Sequence, residues 1–198
     1  SENTDPKVLH GHHLKKLKLP TILAEYDKQA RLCAEQGIDH PRYLLRLVEL
    51  DLIDRQRKMV ERRIRAAKFP ASRSLDRFEF TALPDLNQVL GLELARCVVI
   101  VRRENIIAIG PSGTGKTHLA IGLGLAACQR GMTVGYVTAA GLVNQLAEAR
   151  DKKRLMRLQA SLAKLQLLII DELGYVPLSQ TGAELLFEVI SQRYERGS

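Results

Sequence analysis

Several features are scarce or missing in this chain of 198 residues, and each absence narrows its class. No apolar run approaches the ~20 residues that cross a bilayer, and no charged-then-apolar leader opens the sequence. The three cysteines, Cys33, Cys97 and Cys128, are widely spaced and lack metal-binding spacing, so we interpret them as reduced core thiols. We therefore expect a cytoplasmic protein with no membrane partner.

One segment carries most of the functional information. Residues 110–117 read Gly-Pro-Ser-Gly-Thr-Gly-Lys-Thr and match the phosphate-loop pattern G-x-x-x-x-G-K-[ST] at every fixed position. A predicted strand, 105–109, precedes the loop and a predicted helix, 116–130, follows it. Glycines let the backbone aim N–H groups at phosphate oxygens, and the helix N-terminus adds positive potential. The predicted nucleotide-binding residues are Gly110, Pro111, Ser112, Gly113, Thr114, Gly115, Lys116, Thr117 and His118, with Lys116 also assigned to catalysis as the phosphate counter-charge.

A second motif lies about 55 residues downstream. The apolar run 167–170 suits a strand buried on both faces, and it ends in Asp171 and Glu172. Together with the Thr117 hydroxyl, Asp171 is predicted to hold Mg²⁺, while Glu172 is predicted to orient and polarise the attacking water. An apolar run followed by an acid is a weak signal alone, but beside a complete phosphate loop it indicates Mg-dependent nucleotide binding and hydrolysis.

The order of predicted elements gives the fold class. Residues 1–68 are predicted to form an N-terminal helical domain. In 69–198, strands near 105–109, 133–138 and 166–170 alternate with helices near 116–130, 139–149, 152–164 and 180–195. This alternation predicts an α/β fold, the parallel sheet of a P-loop NTPase with flanking helices.

The net charge of +8 is unevenly distributed. Two basic clusters are candidate DNA-binding residues: Arg55, Arg57, Lys58, Arg62, Arg63 and Arg65 in the first, and Lys152, Lys153, Arg154 and Arg157 in the second. Such clusters favour phosphate contacts without sequence choice, although a solvated helix face remains the alternative. Aromatic residues make up only 5% of the chain. The scarcity of stacking side chains near these clusters favours duplex over single-stranded DNA.

Longer runs carry a family resemblance across essentially the whole chain. They include Leu-Pro-Thr-Ile-Leu at 19–23, Gly-Thr-Gly-Lys-Thr-His-Leu-Ala at 113–120 and Asp-Glu-Leu-Gly-Tyr-Val-Pro-Leu at 171–178. The run 182–197 is similar again. In these runs the chain resembles the IstB family of AAA+ ATPases, the helpers of insertion-sequence transposition, which are related to DnaC-type helicase loaders.

The resemblance implies a specific activity. With ATP and Mg²⁺ bound, such helpers form homo-oligomers on double-stranded DNA and deform it. They deliver this target DNA to a partner transposase of the IstA type and stimulate it. The resemblance also implies that the N-terminal helical domain serves assembly and DNA or partner contact. It further implies that the segment of about 139–164 lies on the DNA side, as it tends to do in this clade.

The sequence also departs from the family pattern. Past Arg196-Gly197 the family continues into a sensor strand, an arginine finger and a helical lid, so we expect the AAA+ core to be C-terminally incomplete. In AAA+ sheets that strand lies between the phosphate-loop strand and the strand of Asp171. Arg193 and Arg196 are not expected to replace the finger, and hydrolysis by these residues alone should be weak or absent. A DnaC-like helicase loader and a non-hydrolysing product of the same family remain alternatives.

Overall fold

The computed structural model describes residues 6–70, 93–94, 96–174 and 177–194, with side chains from residue 8 onward. The helices and strands of these ranges are α1 (Pro6–Lys16), α2 (Pro20–Glu35), α3 (His40–Ala67), α4 (Val98–Val101), α5 (Lys116–Gln129), β1 (Val134–Thr138), α6 (Ala139–Asp151), α7 (Leu155–Ala163), β2 (Leu167–Asp171) and α8 (Gln180–Arg193). The chain forms two compact units, Ser1–Met59 and Val60–Ser198. This division falls within α3, whereas a domain boundary at residue 68 remains a prediction.

The first unit contains α1, α2 and the beginning of α3. Gly37, in the left-handed conformation at φ 63°, follows α2 and lets the chain turn. The Oδ1 atom of Asp39 then accepts a hydrogen bond of 2.9 Å from the backbone N–H of Arg42, which caps the start of α3. The hydroxyl of Thr21 donates to Asp54 at 2.8 Å and ties α2 to α3.

The buried face of α3 in this unit is not the face that carries Leu45 and Leu52. Leu47 and Asp51, one turn apart, are buried, whereas Leu45 and Leu52 are 55% and 60% exposed. Leu14 of α1 and Cys33 of α2 are buried in the same unit. Because residues four apart share a helix face, burial of Leu47 turns Asp51 inward and Leu45 and Leu52 outward.

The second unit is built on a parallel sheet with helices on both faces. β1 and β2 pair in a register that runs from Val134 opposite Leu167 to Thr138 opposite Asp171. Leu167 and Ile169 belong to a core that includes Leu123, Ala127 and Cys128 of α5. Leu168 and Ile170 pack against a second core, which includes Leu142 and Leu146 of α6 and Leu185, Leu186 and Val189 of α8. Successive strand residues point to opposite faces, so this division confirms the predicted α/β arrangement.

Two side-chain caps fix where helices begin in this unit. The Thr138 hydroxyl accepts a hydrogen bond of 3.1 Å from the backbone N–H of Gly141 at the start of α6. The Ser179 hydroxyl accepts one of the same length from Gly182 at the start of α8. Each cap satisfies an N–H that lacks a partner within its own helix.

The predicted strand at 105–109 is not formed, and this prediction was wrong. Residues 104–111 adopt no regular secondary structure and are exposed, with Ile107 at 81% and Ile109 at 92%. An extended segment becomes a strand only when its backbone groups pair with a neighbour. Among the described residues β2 pairs with β1 alone, and none supplies the strand that the AAA+ resemblance places between β2 and this segment.

Within the ranges described, none of the helices is both long and apolar enough to traverse a bilayer.

Candidate nucleotide-binding site

The phosphate loop leads directly into α5. Gly113 and Gly115 have φ angles of 84° and 88°, and Gly115 is the N-cap residue of the helix. A residue with a Cβ pays a steric cost at such angles, so the glycines allow this turn. Behind the loop, α5 is held in the core by Ile121, Leu123 and Leu125. The first turn of the helix therefore has a fixed position, as an anion site at a helix N-terminus requires.

Lys116 folds back over the loop. Its Nζ donates to the carbonyl oxygens of Gly110 at 2.8 Å and Pro111 at 2.6 Å. The Thr114 hydroxyl also donates to the Pro111 carbonyl, at 3.0 Å. These contacts hold the ammonium beside the glycine-rich turn, where it can exchange neutral carbonyl acceptors for phosphate oxygens.

The two predicted magnesium ligands meet although they lie 54 residues apart in sequence. The Thr117 hydroxyl, in the first turn of α5, donates to Oδ1 of Asp171 at the end of β2 over 3.2 Å. A hydroxyl and a carboxylate are oxygen ligands of the kind that Mg²⁺ prefers. Within the described ranges, His, Cys, Asp and Glu side chains form no group of three or more able to hold a metal. The hydroxyl of Thr117 and the carboxylate of Asp171 fit a magnesium ion by their chemistry.

Glu172 follows Asp171 in a turn. Its φ of 59° is left-handed, its side chain is exposed, and its backbone N–H donates to Oδ1 of Asp171 at 2.9 Å. This conformation costs about 1–2 kcal/mol in a residue with a Cβ. Of the other predicted site residues, Ser112 is exposed on the loop and His118 is half-buried in the first turn of α5.

The sequence reasoning missed one member of this site. The hydroxyl of Tyr136, on β1, donates to Oδ2 of Asp171 at 2.6 Å. No motif marks Tyr136, which in sequence is an ordinary strand residue. The contact depends on the pairing of the two strands.

Part of the positive charge of the first basic cluster is paired with acidic side chains. Arg55 pairs with Asp51, and both Arg57 and Lys58 pair with Asp54 at 2.7 Å. Hydrogen bonds from Lys58, then Arg57 and Thr21, hold the pKa of the Asp54 carboxyl well below its usual range. Asp51 and Asp54 therefore neutralise part of the positive charge that was predicted to contact DNA.

The later residues of this cluster belong to the second unit. Arg62 and Arg65 are exposed, but Arg63 is half-buried. The Nε of Arg63 is buried and has no hydrogen-bond partner in the described part of the chain. This nitrogen is not available to a DNA phosphate, and the assignment of Arg63 as a DNA contact stays a prediction.

The second basic cluster lines a groove of about 400 Å³ between α6 and α7. Its cationic lining residues are Lys152, Arg154 and Arg157, with Glu148 the acidic one. Lys152 pairs with Glu148, while Arg154 and Arg157 are exposed. Lys153, also exposed, lies in the turn between the helices with φ 55°.

Arg193 is buried at the end of α8 and serves the fold. Its guanidinium donates to the carbonyl oxygens of Leu162 at 2.7 Å and Leu165 at 3.1 Å, at the end of α7. These hydrogen bonds engage the guanidinium within the fold, and the expectation that Arg193 does not replace the arginine finger stays a prediction. Arg196 lies outside the described residues.

A glycine-rich loop leads into a helix here, and the Thr117 hydroxyl of that helix contacts the Asp171 carboxylate at the end of a parallel strand. This combination defines a P-loop nucleotide-binding protein. Comparison with known proteins narrows this class. The family model of IstB-like ATP binding proteins matches residues 12–198. The chain therefore belongs to the IstB-like ATP-binding family, as the sequence motifs predicted.

Individual relatives agree with this assignment. The chain is 37% identical over 180 residues to an ATP-binding protein of insertion sequence IS5376 from Geobacillus stearothermophilus, covering 91% of this chain and 72% of the relative. It is 31% identical over 185 residues to the ATP-binding protein of insertion sequence IS21 from Pseudomonas aeruginosa, covering 93% of this chain and 70% of that relative.

Proposed function

We propose that this protein binds Mg-ATP, assembles on duplex DNA in that state and stimulates the transposase of its insertion sequence. One observation carries the nucleotide part: the Thr117 hydroxyl lies 3.2 Å from Asp171 beside a complete phosphate loop. The insertion-sequence origin of the named relatives supports the transposition part.

The nucleotide-binding roles follow from the geometry. The loop and the first turn of α5 offer backbone N–H groups to the phosphates, and Lys116 supplies the neutralising charge. Thr117 and Asp171 would hold Mg²⁺, which supplies electrophilic stabilisation of the phosphate oxygens.

Hydrolysis would use Glu172 to orient and polarise a water molecule. Its place directly after Asp171, in an exposed turn, lets its side chain reach solvent beside the site. An arginine finger contributes about 10³–10⁵ in rate in related enzymes, and Arg193 is engaged elsewhere. We therefore propose no role in hydrolysis for Arg193.

The groove between α6 and α7 is the proposed DNA contact of the second unit. Arg154 and Arg157 are exposed there beside Lys153, and only Glu148 offsets the positive charge of the lining. Contacts of cations with phosphates give affinity that falls with salt and depends little on sequence. Assembly of several copies along a duplex would multiply such contacts.

An electrophoretic mobility shift tests the DNA proposal with duplex and single-stranded DNA, each with and without ATP and Mg²⁺. The double variant Arg154→Ala, Arg157→Ala should weaken duplex binding across all sequences and lower the salt slope by about 1–2, since each phosphate contact contributes about 0.9. The variant Lys28→Ala, Arg31→Ala removes the same charge from α2 and should change binding much less. Equal effects of the two variants would mean that net charge, not the groove, binds DNA.

The partner is tested by strand-transfer assays with the purified transposase of the same insertion sequence. Stimulation should require this protein, ATP and an intact Lys116. Recovery of a replicative helicase instead of the transposase in an affinity capture would assign the protein to helicase loading.

A further inference from the structure

The carboxylate of Asp171 is held by three donors. Oδ1 accepts from the Thr117 hydroxyl at 3.2 Å and from the backbone N–H of Glu172 at 2.9 Å. Oδ2 accepts from the Tyr136 hydroxyl at 2.6 Å. The two oxygens therefore have different partners, because Oδ1 accepts from Thr117 of α5 and Oδ2 accepts from Tyr136 of β1.

Strand register explains why Tyr136 reaches this carboxylate. Tyr136 is opposite Ile169, and Thr138 is opposite Asp171, so Tyr136 and Asp171 are diagonal neighbours on one face of the sheet. A phenol is long enough to span such a diagonal. Its ring packs against the α5 side of the core and lies 6.1 Å from the ring of Phe69 at 55°. Core packing thus fixes the ring, and the ring fixes the position of the hydroxyl.

We propose that Tyr136 is a positioning residue for the magnesium site. Its hydrogen bond holds Oδ2 and thereby keeps Oδ1 turned toward Thr117, the other predicted ligand. Partners that orient a metal-binding carboxylate raise metal affinity without touching the metal. This inference rests on the proposed Mg-ATP binding. It adds that Tyr136 determines how strongly magnesium increases the affinity for ATP.

The competing explanation is a core tyrosine whose hydroxyl merely finds an acceptor. Buried tyrosines commonly do so, and loss of that hydroxyl would then affect stability alone. The two explanations differ in one measurable property. Only the positioning role links the Tyr136 hydroxyl to the dependence of nucleotide affinity on magnesium.

The test compares Tyr136→Phe with the wild-type chain in ATP titrations at a series of Mg²⁺ concentrations and in EDTA. We expect ATP affinity in EDTA within about twofold of wild type, and an apparent Mg²⁺ affinity weaker by about 10- to 100-fold. Tyr43→Phe is the matched control, because its hydroxyl also makes a hydrogen bond, to the Tyr26 carbonyl at 2.9 Å in the first unit. Circular dichroism and thermal unfolding verify that each variant is folded.

A double-mutant cycle with Asp171→Asn makes the test independent of any general loss of stability. If Tyr136 acts through Asp171, Tyr136→Phe should cause little further loss of magnesium dependence once Asp171 is replaced. An unchanged Mg²⁺ titration for Tyr136→Phe, or full additivity with Asp171→Asn, would overturn the positioning role while leaving nucleotide binding intact. Failure of the folded wild-type chain to bind ATP at any Mg²⁺ concentration would overturn the proposed function as well.

Discussion

Replacing Lys116 with alanine tests the phosphate-binding assignment most directly. In the free protein its ammonium donates to the carbonyl oxygens of Gly110 and Pro111. Binding a triphosphate would exchange these neutral acceptors for charged ones. The alanine variant lacks the hydrogen bonds to the phosphates, but it also has no hydrogen bonds to the carbonyls that must break on binding. The expected loss of binding free energy is therefore the difference between the phosphate bonds and the carbonyl bonds.

That difference can be estimated. A hydrogen bond to a charged group contributes about 1.5–3 kcal/mol, against about 0.5–1.5 kcal/mol for a neutral pair. Two exchanged bonds then contribute about 2–3 kcal/mol to the free energy of ATP binding. Because 1.4 kcal/mol corresponds to a factor of ten, the Lys116→Ala variant should bind ATP about 30- to 150-fold more weakly than wild type.

The assay is isothermal titration calorimetry with Mg-ATP at fixed ionic strength. Lys164→Ala removes an equal charge from an exposed position at the end of α7 and should bind like wild type. Thermal unfolding of both variants should match wild type, since the Lys116 contacts lie at the exposed loop. Binding by a folded Lys116→Ala variant within threefold of wild type would refute the reasoning.

Three further predictions concern catalysis, the fold and pH. Glu172→Gln should keep ATP affinity within about threefold of wild type but reduce phosphate release at saturating ATP, and equal release would remove Glu172 from catalysis. Arg193→Ala removes a buried guanidinium and its hydrogen bonds to the carbonyls of Leu162 and Leu165, so it should lower the free energy of unfolding by about 2–4 kcal/mol in urea titrations. Gln192→Ala, at an exposed neighbouring position, should cost far less, and similar costs would contradict the structural role. Burial raises the pKa of the Cys128 thiol from 9.0 to about 11, so unfolding releases a proton in this window and stability should fall as pH rises from 9 to about 11. Cys128→Ala should show a smaller fall in its urea midpoint over that window, and an identical fall would exclude Cys128 as a cause.

The helices of the first unit show how far a periodic pattern determines packing. Capping by Asp39 and the turn at Gly37 were predictable because each acts within a few residues of its own position. The buried face of α3 was not predictable, since leucines lie on several faces of this helix. Leu47 is buried together with Asp51, whereas Leu45 and Leu52 are exposed. The choice depends on neighbouring helices that the pattern does not describe.

By itself the sequence determined the phosphate loop, the strand that ends at Asp171 and the family, because each is encoded by residue types at short, fixed spacings. Tertiary structure alone decided that 105–109 forms no strand, since a strand needs a neighbour for its backbone groups. It also decided that Arg63 is half-buried and that Tyr136 holds Asp171. Those outcomes depend on strand register and on packing between segments distant along the chain, which no local spacing encodes.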